Sequence, residues 1–329
     1  MSQQTPDERP FLKMHGLGND FILFDARQSP LALAPTAVRA LSDRHQGIGF
    51  DQLIILRPSD KADLFMEIRN ADGSDVAACG NATRCVGQVL MDELARDEAS
   101  IETRAGILLA RRAGDAVTVD MGRPGLSWRD IPLARDLDLD HLPIIEGDLL
   151  PPSALSMGNP HLLFFDPGPD NGPDNRPDRW DEHHPDVAGI GARLEHHPDF
   201  PEGTNVSFVT IIAPDHLQVR TWERGVGLTR ACGTAACASL VGAHRRGFAA
   251  RAARVEMPGG PLQIIWADDD HVLMTGAVRT DGGSDAAGAA GDPPGQKGTP
   301  RCAPDRHRLR GADRSADVSR YARCGSCAG

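Results

Sequence analysis

Two five-residue stretches of the chain nearly coincide, Ala78-Cys79-Gly80-Asn81-Ala82 and Ala231-Cys232-Gly233-Thr234-Ala235. Each ends a polar, glycine-containing loop and opens a helical run, Thr83 to Leu90 in the first case and Ala236 to Val241 in the second. A coincidence that extends to both flanks indicates a duplicated unit, and a duplicated α+β unit buries its apolar faces best as two halves facing each other. Each cysteine then stands at a helix N-terminus, where unpaired N–H groups and the helix dipole favour negative charge. The expected consequence is a thiol pKa lowered from about 8.5 into the range of roughly 3.5–7.5.

Other landmarks recur in the same order. Gly18-Asn19 followed by Phe21-Ile22-Leu23-Phe24-Asp25 is echoed by Gly158-Asn159 and His161-Leu162-Leu163-Phe164-Phe165-Asp166. Gly49-Phe50-Asp51-Gln52 is matched, residue for residue, with Gly203-Thr204-Asn205-Val206, and helices are predicted at Ala34–Arg44 and Val187–His196. Asn70 precedes Cys79 by nine residues, as Glu223 precedes Cys232. These matches predict an α+β fold of two pseudo-symmetric halves, 10–125 and 126–279, with the active site in the cleft between them. The Pro-punctuated stretch 123–150 reads as a connection and 166–186 as a surface loop. From residue 280 the composition turns to Gly, Ala, Asp, Pro and Arg without apolar periodicity, which predicts a disordered tail over 280–329.

Charge and cysteine usage narrow the function. A formal net charge of -11 argues against a nucleic-acid partner, which calls for a basic surface. No apolar run is long enough to span a bilayer, and the polar first ten residues lack a signal-peptide core, so a cytoplasmic protein without membrane contact is expected. Seven cysteines in a reducing compartment read as free or reactive thiols.

Two thiols on opposite sides of one cleft suit the inversion of a carbon that carries hydrogen. One takes the proton from one face and the other returns a proton to the opposite face. The carbanion is tolerable only if its charge spreads onto a neighbouring carboxylate, which the N–H groups at Gly80, Asn81, Gly233 and Thr234 could hold. Taken singly, either cysteine would be read as a core residue; their matched positions favour a catalytic pair, whereas Cys85 and Cys237, inside the helices, read as core. Cys324-x-x-Cys327 lacks a second ligand pair, and His183-His184 and His196-His197 read as solvated, so no metal is predicted. Only Lys13, Lys61 and Lys297 are present, none in an evident pyridoxal phosphate site, and Gly16-Leu17-Gly18 lacks the rest of a dinucleotide fingerprint. No cofactor is expected.

The quoted stretches, together with Lys13-Met14-His15-Gly16-Leu17-Gly18-Asn19-Asp20-Phe21, Asn70-Ala71-Asp72-Gly73-Ser74 and Phe200-Pro201-Glu202-Gly203-Thr204-Asn205-Val206, resemble the diaminopimelate epimerases over roughly Phe11 to Gly276. The resemblance implies a cofactor-independent isomerase of lysine and peptidoglycan precursor synthesis that interconverts LL- and meso-2,6-diaminopimelate, a small-molecule partner, with Cys79 and Cys232 alternating as acid and base. It implies that Asn19, Gln52, Asn70, Asn159, Asn205, Glu223 and Arg224 bind the substrate's remaining polar groups, that Gly80, Asn81, Gly233 and Thr234 bind the reacting carboxylate, and that His161 and Glu223 tune the thiols. A homodimer is one possible assembly. Family members often have glycine where Ala82 and Ala235 stand, and glutamate at Leu228. They also end in a strand that returns to the first half, which the composition after Gly276 makes short or missing here. Two other readings fit paired cysteines: a proline or hydroxyproline racemase, and a redox switch whose disulfide is the functional state.

Overall fold

The computed structural model describes residues 9–147, 149–166 and 186–280, with the backbone of 307–309. In the first half, β1 (Arg9–Gly16) turns into β2 (Asn19–Asp25), followed by helix α1 (Pro35–Ser42), β3 (Gln52–Arg57), β4 (Leu64–Asn70) and the two-residue β5 (Asp75–Val76). Helix α2 (Gly80–Glu93) then leads to β6 (Glu98–Thr103), β7 (Gly106–Ala113) and β8 (Ala116–Asp120). The second half runs β9 (Ser153–Ser156), β10 (Pro160–Asp166), α3 (Val187–Leu194), β11 (Asn205–Ala213), β12 (His216–Glu223), β13 (Gly227–Leu228), α4 (Gly233–Arg245), β14 (Ala252–Met257), β15 (Gly260–Trp266) and β16 (Val272–Ala277).

The pairings repeat as the order does. β1–β2 antiparallel, β2–β3 parallel, β3–β4 antiparallel and β4–β6 parallel return as β9–β10, β10–β11, β11–β12 and β12–β14 in the same senses. Each half ends in an antiparallel meander, β6–β7–β8 and β14–β15–β16. The duplication inferred from the cysteine stretches is therefore a duplication of topology.

Apolar alternation explains why both helices of each half find a face. On β2, Phe21 and Leu23 pack toward α2 with Ala82, Cys85, Val86 and Leu90, while Ile22 and Phe24 pack toward α1 with Val38 and Leu41. On β10, Leu163 and Phe165 meet α4, while Leu162 and Phe164 meet α3. Strands covered on both faces read as continuous apolar runs, as these do. The stretch between the halves is more than a connection: its Ile131, Leu133, Leu142 and Ile144 are buried in the α3 cluster.

The halves are joined by β8 pairing with β16 and by a short closing strand, β17 (Arg279–Thr280), set antiparallel against Met14 and His15 of β1. The returning strand is thus present, although only two residues long. One three-residue strand, β18 (His307–Leu309), pairs with Arg9–Phe11, so the expectation of disorder throughout 280–329 fails there. The remainder of that tail, Cys324-x-x-Cys327, His183-His184 and nearly all of the loop 166–186 lie outside the described residues. Among the described residues, no helix is long and apolar enough to cross a membrane.

Two hairpin tips, one from each half, meet. Gly16 pairs with Asn19, leaving a two-residue turn in which Leu17 and Gly18 both have positive φ (57° and 82°), the conformation that matches strand twist in tight hairpins. The β14–β15 tip of the other half closes on it: a methyl group at Gly259 would stand 1.9 Å from the Leu17 carbonyl oxygen. Backbone on both sides leaves no flexible atom to move aside. Gly259→Ala should therefore destabilise the protein by about 1–3 kcal/mol or more, seen as a drop of several degrees in Tm; an unchanged Tm would show that the two tips are free to separate.

Candidate active site

Both cysteines are N-cap residues with extended backbone, Cys79 at φ -147°, ψ 114° before α2 and Cys232 at φ -128°, ψ 107° before α4. Neither sulfur accepts a cap hydrogen bond, but the backbone N–H groups of Asn81 and Ala82 favour the ionised form of Cys79 and that of Ala235 the ionised form of Cys232. A single thioether lies against both helix starts. Methyl groups at Gly80 and Gly233 would stand 2.7 Å and 3.2 Å from the Met274 methyl carbon, so glycine at both positions lets the two N-termini approach one point. Asn81 ties the halves together across this point, its Nδ2 donating to Asn19 Oδ1 (3.2 Å) and to the carbonyl of Ala231 (3.4 Å).

Strand register organises the polar residues into matched positions. Phe21 opposes Gln52, which opposes Asn70; His161 opposes Asn205, and Asn70 and Glu223 end the equivalent strands β4 and β12. Asn205 is thereby the counterpart of Gln52. The residue-for-residue match that paired it with Asp51 was out by one position, because composition alone does not fix strand register. Asn19 and Asn159 are likewise equivalent.

The hydrogen bonds differ between the halves. Gln52 Nε2 donates to Asn70 Oδ1 (3.1 Å) and Asn70 Nδ2 to Ser74 Oγ (3.1 Å), while Asn19 Nδ2 donates to Asp51 (3.0 Å). Asn159 Oδ1 accepts from His161 Nε2 (3.0 Å), and Asn159 Nδ2 donates to Thr234 Oγ1 (3.4 Å). Asn205 bridges two elements, donating to the Pro160 carbonyl (2.9 Å) and accepting from the Arg224 N–H (3.0 Å). Arg224 is pinned through Nη1 to the Glu202 carbonyl (2.6 Å). Thr234 Oγ1 lies 3.5 Å from the Cys232 sulfur, and Thr229 donates to Glu223 (2.5 Å). The Glu223 carboxylate acts electrostatically on both Cys232 and Cys79. One carboxyl group in the field of both thiols brings them into a single site.

The electrostatics correct one expectation. Burial pushes the Cys79 thiol up to about 11 and the Cys232 thiol well above its ordinary value, with Glu223 adding to both. The helix N–H groups pull the other way but are outweighed, because exclusion of water penalises the charged form more than a helix end favours it. Burial also raises the Glu223 carboxyl and lowers His161 to about 3, with Arg224 acting in the same direction. None of the four described cysteines is in a disulfide, and Cys85 and Cys237 are fully buried as expected. Burial carries the Cys237 thiol up to about 12. Ala82 and Ala235 are fully buried, and Leu228 is half exposed on β13 opposite Trp222.

The sequence profile of the diaminopimelate epimerases matches residues 11–126 and 153–280. The chain belongs to the diaminopimelate epimerase family. It is 51% identical to the diaminopimelate epimerase of Acidiphilium cryptum over 271 residues, 82% of this chain and 93% of that protein. It is 49% identical to that of Rhodospirillum centenum, covering 83% and 90%. Solved structures add the fold alone. A hydroxyproline epimerase from Agrobacterium vitis superposes with a TM-score of 0.57 at 17% identity, covering 86% of this chain and 92% of that one. A methylitaconate-delta-isomerase gives 0.57 at 16%, covering 84% and 94%. In this diaminopimelate epimerase family member, the two-halved fold and the diaminopimelate epimerase function stand.

Four residues that the sequence did not single out also enter the site: Met274 between the helices, Thr229 on Glu223, Asp51 on Asn19, and Arg84 on Asn81. Arg84 alone left a sequence signal, since it lies three and four positions after Asn81 and Gly80 and so shares their helix face.

Proposed function

We propose that this enzyme interconverts LL- and meso-2,6-diaminopimelate without a cofactor, through Cys79 and Cys232 on opposite faces of the reacting carbon. The carrying observation is the convergence of two thiol-capped helix N-termini on one thioether, with Glu223 in the field of both sulfurs. A thiolate on one side takes the α-proton, forming its S–H bond while the C–H electron pair spreads into the carboxylate. The thiol on the other side gives its proton to the opposite face of the carbon and is left as the thiolate. The N–H groups of Gly80, Asn81, Gly233 and Thr234 hold the carboxylate as it gains charge, in a site from which water is largely excluded.

Raised thiol pKa values suit this task once substrate is bound, because a thiol that holds its proton tightly is also a strong base when ionised. The substrate's α-ammonium group brings positive charge that offsets the burial penalty. Asn19, Gln52, Asn70, Asn159, Asn205, Glu223 and Arg224 bind the substrate's remaining polar groups. Two acceptors among the site residues, Gln52 Oε1 and His161 Nδ1, are buried without a partner, and substrate N–H donors would satisfy them. The halves run over 10–125 and 126–279. The thiol form of the described cysteines, which a reducing compartment maintains, supports a cytoplasmic location.

The test is chiral chromatography of LL-diaminopimelate and of L-proline incubated separately with the enzyme. Conversion of diaminopimelate to the meso form with proline unchanged is expected; racemisation of proline alone would overturn the assignment.

A further inference from the structure

One chain of hydrogen bonds runs from the interior of the first half, through two asparagines of the site, to the surface. Arg84 Nη2 donates to Asn81 Oδ1 (3.0 Å), Asn81 Nδ2 to Asn19 Oδ1 (3.2 Å), and Asn19 Nδ2 to Asp51 Oδ2 (3.0 Å). The other oxygen of Asp51 accepts from Arg44 Nη2 (2.8 Å), and Arg44 is also held by Asp20 (2.7 and 3.0 Å). At the inner end Arg84 is fully buried, with Nε and Nη1 unpartnered. A methyl group at Gly16 of β1 would stand 2.9 Å from its Nη2, and one at Gly276 of β16 would stand 3.2 Å from its Nη1. The guanidinium fills this space closely, and its one side-chain hydrogen bond among the described residues is the bond to Asn81.

The oxygen and nitrogen of an amide are nearly equal in size, so shape does not decide which way an asparagine faces; its partners do. A guanidinium offers only donors and a carboxylate only acceptors. Arg84 therefore requires the oxygen of Asn81, and Asp51 requires the nitrogen of Asn19. Both ends impose the same sense, and the central bond from Asn81 to Asn19 satisfies both. Turning either amide over would set donor against donor on one side of it and acceptor against acceptor on the other.

This sense decides what each residue can offer a ligand. Asn81 directs its N–H groups to Asn19 and to the Ala231 carbonyl (3.4 Å), next to Cys232, and its oxygen to Arg84. No donor of its side chain is left over. Asn19 gives one N–H to Asp51 and keeps the other.

We infer that Arg84 and Asp51 are positioning residues that lock the sense of this chain from its two ends, and so keep an N–H of Asn19 available to a substrate oxygen. The inference rests on the proposed function only in taking Asn19 as a substrate contact.

The experiment combines urea unfolding with steady-state kinetics on the full chain, and it centres on Asp51 because that side chain is half exposed and its variants should fold. Asp51→Asn keeps the size of the group but must turn an N–H toward either Asn19 or Arg44. It should raise KM for LL-diaminopimelate about tenfold while kcat changes by less than about threefold, as expected when a binding contact is misaligned and the chemistry is not. An unchanged KM would overturn the inference. The sense of the chain is read from stability. Asn19→Asp removes the donor that faces position 51, so only a donor at position 51 can restore the bond. The gain in urea midpoint of Asp51→Asn over Asp51→Ala should be greater in the Asn19→Asp background than in the wild-type one, by about 0.5 M, the size of one hydrogen bond to a charged group. General loosening would give equal gains in both backgrounds, and equal gains overturn the inference. Arg84→Met breaks the chain at its other end and should raise KM in the same way; a folded Arg84→Met with wild-type KM would overturn the part assigned to Arg84. Should that variant not fold, the Asp51 series decides. The unfolding comparison uses no substrate, so it stands apart from the two-thiol reading, whose own failure would show as a Cys79→Ser variant that epimerises at the wild-type rate.

Discussion

Replacing either capping cysteine by serine should lower epimerisation about 10²–10⁴-fold, the usual contribution of a positioned acid or base, while leaving proton exchange intact for one stereoisomer only. Cys79 and Cys232 occupy equivalent N-cap positions with matching backbone angles, and in the proposed two-base mechanism each would address one face of the reacting carbon. In Cys232→Ser, the isomer whose α-proton faces Cys79 can still lose it. A hydroxyl group on the far side is too weak an acid to complete the inversion, and the carbanion takes a proton back from Cys79. Once that thiol has exchanged with solvent, deuterium enters the α-carbon with retention. Cys79→Ser should show the same behaviour with the other isomer. Incubation of LL- and of meso-diaminopimelate in deuterated water, with mass and chirality read together, distinguishes the outcomes. Inversion at wild-type rate in either variant would eliminate the two-base mechanism, and exchange of both isomers by one variant would mean that a single residue reaches both faces.

How legible this site was depends on which physical effect decides each feature. The duplication could be read because helix caps and two-face strand burial each leave a local residue pattern: Cys-Gly before a helical run, and apolar runs such as Phe21–Phe24 and Leu162–Phe165. The offset that makes Asn205 equivalent to Gln52 is set by hydrogen-bond register with a neighbouring strand, which no local pattern encodes. The closing strand Arg279–Thr280 is recognisable only from its partner, β1. The direction of the thiol pKa values depends on how much protein surrounds the sulfur, a property of both halves together. A helix end was visible in the sequence; the desolvation that outweighs it was not. Arg84 combines both cases, since its helix face could be inferred but its complete burial between Gly16 and Gly276 could not.

His161 should make the protein acid-sensitive, and phenylalanine at that position should remove the sensitivity. The ring is fully buried. With Nε2 donating to Asn159 Oδ1, Nδ1 is left as a bare lone pair without a partner. Burial, assisted by Arg224, lowers its pKa from 6.5 to about 3, so the folded state holds it neutral while the unfolded chain takes up a proton below about pH 6.5. The sign follows from proton uptake: the unfolded state binds more protons between these two values, so stability is fully present above pH 6.5 and is lost as pH falls toward about 3. A difference of this size corresponds to about 3–5 kcal/mol across the interval. The pseudo-equivalent position in the first half holds Phe21, also fully buried, so His161→Phe gives one half the apolar residue that the other already has. Urea midpoints between pH 7 and pH 4 should fall more steeply for wild type than for His161→Phe, which loses the hydrogen bond to Asn159 at every pH but has no proton to take up. Parallel curves would mean that the ring is protonated within the fold. His161 would then be a cation beside Arg224, and its part in tuning the thiols would be that of a charge instead of a neutral, buried acceptor.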